Sequence, residues 1–214
     1  MTAVIFDMNG VIIDDERIHR QSWKVYCKNH GFHITEEEFK KKVFGRTEKD
    51  TFEYLYNRKI SKKELEEFSN ERVDTAIEIF KPVMKMTPGL KKLLKLLSDN
   101  NIPMAVATSS RPRYVHFIME SFNIRPFFKV ILTAEDIVKG KPDPEIYQKS
   151  AEKLGVSPHE CVVIEDTLSG ITSAKAAEMK VIGIATTHSK EELKSANKVV
   201  DSFNEITLSF LNFL

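Results

Sequence analysis

Cysteine and glycine are both scarce in this 214-residue chain, and neither sign of charge prevails. The two cysteines, Cys27 and Cys161, are too few for a disulfide framework and lack metal-ligand spacing, so a reduced setting is expected. Eight glycines stand where average usage of about 7% gives roughly 15, so most are expected where the backbone requires them. Lys and Arg number 32 against 31 Asp and Glu, a net charge of +1, which lacks the basic footprint of a nucleic-acid binder. No apolar run approaches the ~20 residues of a membrane helix. Met1 leads through Ala3-Val4-Ile5-Phe6 straight into acid, so no secretory leader is expected. These absences predict a cytoplasmic protein with neither nucleic acid nor membrane as partner. What is present is a 42% hydrophobic fraction with 14 Phe, ample for a packed core. The length suits one domain, or one domain carrying a large insertion.

Short apolar runs rich in β-branched residues recur along the chain and end on polar residues. Thr2 to Phe6 ends at Asp7, Pro103 to Ala107 at Thr108, Lys129 to Leu132 at Thr133, Cys161 to Ile164 at Glu165, and Val181 to Ala185 at Thr186. Runs of this kind suit strands buried on both faces of a parallel sheet. Helix starts lie between them. Thr87-Pro88 precedes Leu90, Leu93, Leu94 and Leu97 at helical spacing; Asp143-Pro144 reads as an N-cap followed by Pro at the first helical position. Ser157 to Glu160 and Ser189 to Glu192 read as capping boxes, and an amphipathic segment near Glu205 to Leu214 closes the chain. The alternation predicts an α/β class, a Rossmann-like doubly wound parallel sheet. Residues 15–85 differ: Thr35 to Glu38 and Ser61 to Glu64 look like helix starts, and no strand is evident, so they read as an all-helical insert. The expected division is a core of 1–14 and 86–214 with a helical cap of 15–85; Lys40-Lys41-Lys42 reads as a solvated helix face.

Ligands bind where the strands of an open α/β sheet end, so the residues there matter most. Asp7-Met8-Asn9-Gly10 follows the first strand, Thr108-Ser109 the second, Lys141-Pro142 the third, and Glu165-Asp166 the fourth. Singly, Asp7 reads as a helix cap, Thr108 as a turn residue and Lys141 as a surface charge; together at one sheet edge they suit phosphoryl chemistry. An Asp at a strand terminus can serve as nucleophile, forming an acyl phosphate. Asp7 with Asp166, aided by Glu165, offers hard oxygen ligands for Mg²⁺. Lys141 adds fixed positive charge, while the Thr108 hydroxyl and the Ser109 amide, expected at a helix N-terminus, suit phosphate oxygens.

Asp7-Met8-Asn9-Gly10-Val11, Thr108-Ser109-Ser110, Lys141-Pro142-Asp143-Pro144 and Glu165-Asp166-Thr167-Leu168-Ser169-Gly170 resemble the four ordered motifs of the haloacid dehalogenase-like hydrolases. The resemblance spans nearly the whole chain and includes a helical cap after the first motif. Within that superfamily the chain is similar to the β-phosphoglucomutase-like phosphatases and mutases. The resemblance implies that Asp7 is the nucleophile, that Thr108 and Lys141 stabilise the phosphoryl group, and that Asp7, Asn9, Glu165 and Asp166 surround Mg²⁺. It implies substrate contacts from Asp15, His19, Ser109 and Ser110, and from Arg46 in the Gly45-Arg46-Thr47 turn of the cap. Trp23 faces the leaving group or belongs to the cap's own core. The implied activity is Mg²⁺-dependent hydrolysis of a small phosphorylated metabolite, a sugar phosphate; a monomer is the default expectation for a helical cap of this size.

Two positions depart from that pattern. Where phosphatases of the superfamily carry a second Asp as general acid, this chain has Asn9, and an amide cannot exchange protons near neutral pH. Its backbone carbonyl remains able to bind Mg²⁺. An Asp-to-Asn change introduced to quench turnover, a native Asn with His19 or Asp15 recruited as acid, and a non-catalytic metabolite-binding or regulatory relative all fit. Asn9-Gly10 is also a deamidation-prone pair. C–halogen hydrolysis is disfavoured because it needs no metal, yet Glu165-Asp166 is present. The second departure is Glu48, where β-phosphoglucomutases place an Arg for the distal phosphate. An acid there repels a phosphate and favours a phosphatase over a mutase, unless Arg46 or Lys49 takes over.

Overall fold

The computed structural model describes residues 3–43 and 47–212. The chain divides into two compact units, Met1–Glu16 with Lys85–Leu214, and Arg17–Met84. In the first unit six strands, β1 (Ala3–Phe6), β2 (Met104–Ala107), β3 (Val130–Leu132), β4 (Cys161–Glu165), β5 (Lys180–Ile184) and β6 (Lys198–Val200), form one sheet. Its order is β3-β2-β1-β4-β5-β6, with every neighbouring pair parallel. The helices that alternate with them are α5 (Leu90–Asp99), α6 (Pro112–Ser121), α7 (Glu145–Leu154), α8 (Leu168–Ala176) and α9 (Leu208–Asn212), the numbers α1 to α4 belonging to the second unit.

Burial on both faces explains the uninterrupted apolar runs: β1, β2 and β4 are buried at every residue. Ile5, Ala105, Val163 and Val181 pack in one cluster with Ile146 and Tyr147 of α7 and Ile171 of α8. Phe6 meets Phe128 edge-to-face at 5.8 Å and Phe203 at 6.5 Å. In register, Phe6 pairs with both Val106 and Ile164, so Asp7, Ala107 and Glu165 leave the sheet at one level. Ile13 bridges Met86, and Thr87 N–H donates to Ile12 C=O at 3.0 Å, which pins together the two points where the chain leaves and re-enters this unit.

Local signals mostly formed, with shifts that tertiary packing explains. The sixth strand, Lys198–Val200, is not evident from sequence because it opens on an exposed lysine and only Val200 is fully buried. The Ser189–Glu192 box is made, but only an isolated turn follows rather than a helix. Ser157 caps a 3₁₀ turn, Pro158–Glu160, which feeds directly into β4. Asp143 accepts from the Glu145 amide, yet Pro144 is the cap residue and α7 begins at Glu145.

The second unit contains helices and, among its described residues, no strand. It contains α1 (Glu16–Asn29), α2 (Glu36–Glu38), a π-helical turn (Phe39–Val43), α3 (Glu48–Tyr56), α4 (Lys62–Phe80) and a 3₁₀ turn (Lys81–Val83). Thr35 and Ser61 form complete capping boxes with Glu38 and Glu64. Lys41 and Lys42 are exposed, as expected of a solvated face. Tyr26, Phe52 and Ile60 make its core, with Trp23, Phe32, Tyr56 and Phe68 packed around them. Trp23 therefore belongs to this core, 5.1 Å from the Phe52 ring. Among the described residues no helix is long and apolar enough to cross a membrane.

Replacing Phe203 by Ala removes a ring that is 2% exposed and packed on the strand carrying Asp7. The expected loss is about 3–5 kcal/mol, read as a lower urea midpoint.

Candidate active site

The register that brings Asp7, Ala107 and Glu165 to one level also determines what Lys141 can reach. Its side chain, 8% exposed, donates to Asp7 Oδ1 at 2.6 Å, Glu165 Oε1 at 2.7 Å and the Ala107 carbonyl at 3.2 Å. Those three bonds use all three ammonium protons. The ammonium also lies 4.9 Å from the centre of the Tyr147 ring. Burial works to remove its proton, but Asp7 and Glu165 outweigh that and hold Lys141 well above the usual lysine range. The loop before Lys141 is drawn onto α7 by Glu145, whose carboxylate accepts from the Val138 and Lys139 amides and from Lys149. Those donors, Lys149 first, lower Glu145 to about 2.

Glu165 was expected among the metal ligands. The structure gives it a different role, because its oxygens already face five donors. Oε1 accepts from Lys141 and from Tyr147 Oη at 3.0 Å; Oε2 accepts from the Asp166 amide, the Thr167 amide and the Thr167 hydroxyl, each at 2.9 Å. Burial works to raise its pKa, yet Lys141 and these donors leave it below the usual carboxylate range. Gly170 makes this possible, since any Cβ there would overlap the Glu165 carboxylate. Glu165 thus ties β4 and the start of α8 to Lys141.

Asp7 and Asp166 are in the opposite condition. Lys141 engages Asp7 Oδ1 and leaves Oδ2 without a hydrogen bond among the described residues. Burial, then repulsion from Glu165 and Asp15, pushes Asp7 up to about 7 against the pull of Lys141. Asp166 is 2% exposed; Thr187 Oγ donates to its Oδ2, while the buried Oδ1 has no hydrogen-bond partner. Burial, followed by Asp7 and Glu165, pushes Asp166 up to about 8. Two buried carboxylates that resist ionising, one with an orphaned oxygen, suit a divalent cation. No cluster of three or more His, Cys, Asp or Glu side chains able to hold a metal occurs among the described residues. Mg²⁺ requires fewer, since it is usually bound through one or two carboxylates plus waters and substrate phosphate. Asp7 and Asp166 fit that demand; the Glu165 side chain does not.

Asn9 is held by its amide. Its Nδ2 donates to Asp15 Oδ2 at 2.7 Å, and its Oδ1 accepts from Ser110 Oγ at 2.7 Å and Thr108 Oγ at 3.2 Å. Asp15 also accepts from Tyr114 Oη at 2.8 Å and is 1% exposed. The expectations for four residues change. Thr108, fully buried, gives its hydroxyl to Asn9 rather than presenting it at the surface, and Ser110 does the same. Asp15 lies beneath Asn9 instead of facing a substrate. Ser109 is exposed but precedes α6, which begins at Pro112, so its amide is not at a helix N-terminus. The deamidation-prone pair is restrained too, because the Gly10 amide needed for ring closure donates to Ile13 C=O at 2.7 Å.

In the helical unit, His19 lies on α1 with Nδ1 3.4 Å from Arg72 Nη1. Glu48 is not a bare acid: Arg72, 7% exposed, donates to it through Nε at 3.0 Å and Nη2 at 2.6 Å, and sits 5.1 Å from the Trp23 ring. Gly45 and Arg46 lie outside the described residues. Sequence reasoning missed Tyr114, Tyr147 and Thr187. The first two carry no signal beyond a helical apolar face, but Thr187 follows the fifth strand and the strand-end rule pointed there.

Lys141→Ala leaves Asp7 and Glu165 facing each other in a buried space. The expected cost is about 3–5 kcal/mol in chemical denaturation at pH 7. It should shrink toward pH 5, where Asp7, raised to about 7, is protonated.

The family model for haloacid dehalogenase-like hydrolases matches residues 4–184. The chain is 31% identical over 182 residues to a phosphorylated carbohydrates phosphatase of Thermotoga maritima, covering 85% of this chain and 84% of that protein. It is 30% identical to a β-phosphoglucomutase of Bacillus subtilis, covering 99% and 94%. A crystal structure of a HAD hydrolase, family IA, variant 3, from Entamoeba histolytica superposes with a TM-score of 0.88 at 36% identity, covering 99% of this chain and 97% of that one. A parallel sheet bearing these four strand-end motifs, matched over most of its length, places the chain in the family of haloacid dehalogenase-like hydrolases.

Proposed function

We propose that this chain is a Mg²⁺-dependent phosphoric monoester hydrolase acting on a small phosphorylated carbohydrate through an aspartyl phosphate on Asp7. One observation carries the reading: a buried carboxylate, Asp7, gripped through one oxygen by a buried ammonium, with the orphaned Asp166 oxygen at a neighbouring strand end. The relative from Thermotoga maritima, named for phosphorylated carbohydrates, supports the substrate class.

Asp7 Oδ2 attacks phosphorus and the bond to the sugar oxygen breaks, with that oxygen taking up a proton. Water then attacks the phosphorus of the acyl phosphate, releasing inorganic phosphate and restoring Asp7. Lys141 orients Asp7, favours its ionised form and offsets charge on the transferred group. Asp7, Asp166 and the Asn9 carbonyl hold Mg²⁺, which when bound supplies Lewis-acid charge at the phosphoryl oxygens. Exposed Ser109 is assigned to substrate contact, and the protein to a cytoplasmic monomer.

The weak step is proton delivery, because Asn9 has no exchangeable acid proton. Asn9→Asp sets a carboxylate where Asn9 now lies 2.7 Å from Asp15. A carboxyl group at that position can carry and give up the proton that an amide cannot. In a screen of phosphorylated sugars with Mg²⁺, phosphate release should rise at least tenfold in Asn9→Asp, about 1.4 kcal/mol in the barrier, and stop with EDTA. Equal rates from samples with verified mass at position 9 would sink the proton-delivery argument. Binding of a phosphate mimic without turnover in either variant would transfer the chain to the non-catalytic class.

A phosphosugar mutase is the second reading, and the Glu48–Arg72 pair favours it by removing the repulsion expected from Glu48. Bisphosphate-dependent isomerisation outpacing phosphate release would establish that alternative.

A further inference from the structure

The four motifs leave the ends of β5 and β6 unassigned, and after β5 stands the Thr186-Thr187 pair. Both hydroxyls are committed to the site. Thr187 Oγ donates to Asp166 Oδ2, and Thr186 Oγ donates to the Gly10 carbonyl at 2.5 Å. Gly10 has φ +75, and a Cβ there would overlap both Asp166 Oδ2 and Thr187 Oγ. The loop after β1 and the carboxylate after β4 are therefore packed against each other, with this pair of threonines bonded to both.

We propose that Thr187 is a positioning residue for the metal site. Its hydroxyl occupies Asp166 Oδ2 and so leaves Oδ1, the buried oxygen with no hydrogen-bond partner, as the one that would receive the cation. A carboxylate bonded through one oxygen loses rotational freedom before the metal arrives, and partners of this kind typically contribute 10–100-fold to metal affinity. Thr186 acts on the other side. By gripping the Gly10 carbonyl it restrains the loop that carries the Asn9 carbonyl. The inference rests on the Mg²⁺ reading of the site and assigns it a fifth strand end.

The test measures binding rather than turnover. Isothermal titration of Mg²⁺ into the full chain, with Mn²⁺ as a spectroscopic probe, is compared among wild type, Thr187→Val and Thr187→Ser. Thr187→Val keeps the shape and removes the donor, and should weaken binding about 10–100-fold. Thr187→Ser restores the donor and should remain within about threefold of wild type. Wild-type affinity in Thr187→Val, or equal loss in both variants, overturns the role of Thr187. If Thr187→Val does not fold, retained affinity in Thr187→Ser against a loss in Thr187→Ala gives the same decision. A wild type that binds neither cation overturns the Mg²⁺ reading itself, a result distinguishable from failure of Thr187 alone.

Discussion

One ammonium group, Lys141 Nζ, is bonded to a carboxylate after β1, a carbonyl at the end of β2 and a carboxylate at the end of β4. A buried lysine is costly unless its charge is matched, and here the match is supplied by residues from different strands. The sheet therefore must form in its native register for the lysine to be satisfied. Conversely, the two carboxylates would repel each other without it. Lys141 is at once a structural clasp and the charge nearest the proposed nucleophile.

The site separates three carboxylates by environment. Glu165 is saturated with donors and lies below its ordinary range, while Asp7 and Asp166 are buried with fewer bonds and lie well above theirs. Such separation assigns work: the satisfied carboxylate builds the scaffold, and the other two remain to receive a cation and a phosphoryl group. Close backbone approach is the geometric condition for this division. Gly170 admits Glu165 against α8, and Gly10 admits Asp166 and Thr187 against the first loop.

Asn9 shows how thoroughly a departure from the expected pattern is absorbed. Its amide donates to Asp15 and accepts from two hydroxyls, a set of partners complementary to an amide. The same bonds occupy Thr108 and Ser110, so the departure at one position changes what two further motif residues have to offer. In the helical unit, Arg72 neutralises Glu48 in the same manner.

Much was determined by sequence alone. Apolar runs ending on Asp7, Thr108 and Glu165 specify buried parallel strands, because a two-face environment tolerates no alternation. Strand-end placement then locates the chemistry, and the order of the motifs identifies the family. Capping boxes at Thr35 and Ser61 are local and were legible for the same reason. The structure alone decided how hydrogen bonds are shared out. Five donors converge on Glu165 from the turn between β4 and α8, from α7 and from the Lys141 loop, and no spacing along the chain reveals that convergence. The Thr187 bond to Asp166 likewise joins residues that follow neighbouring strands. A side chain's type sets what it can do, but burial and the partners that reach it decide which of those capacities remains.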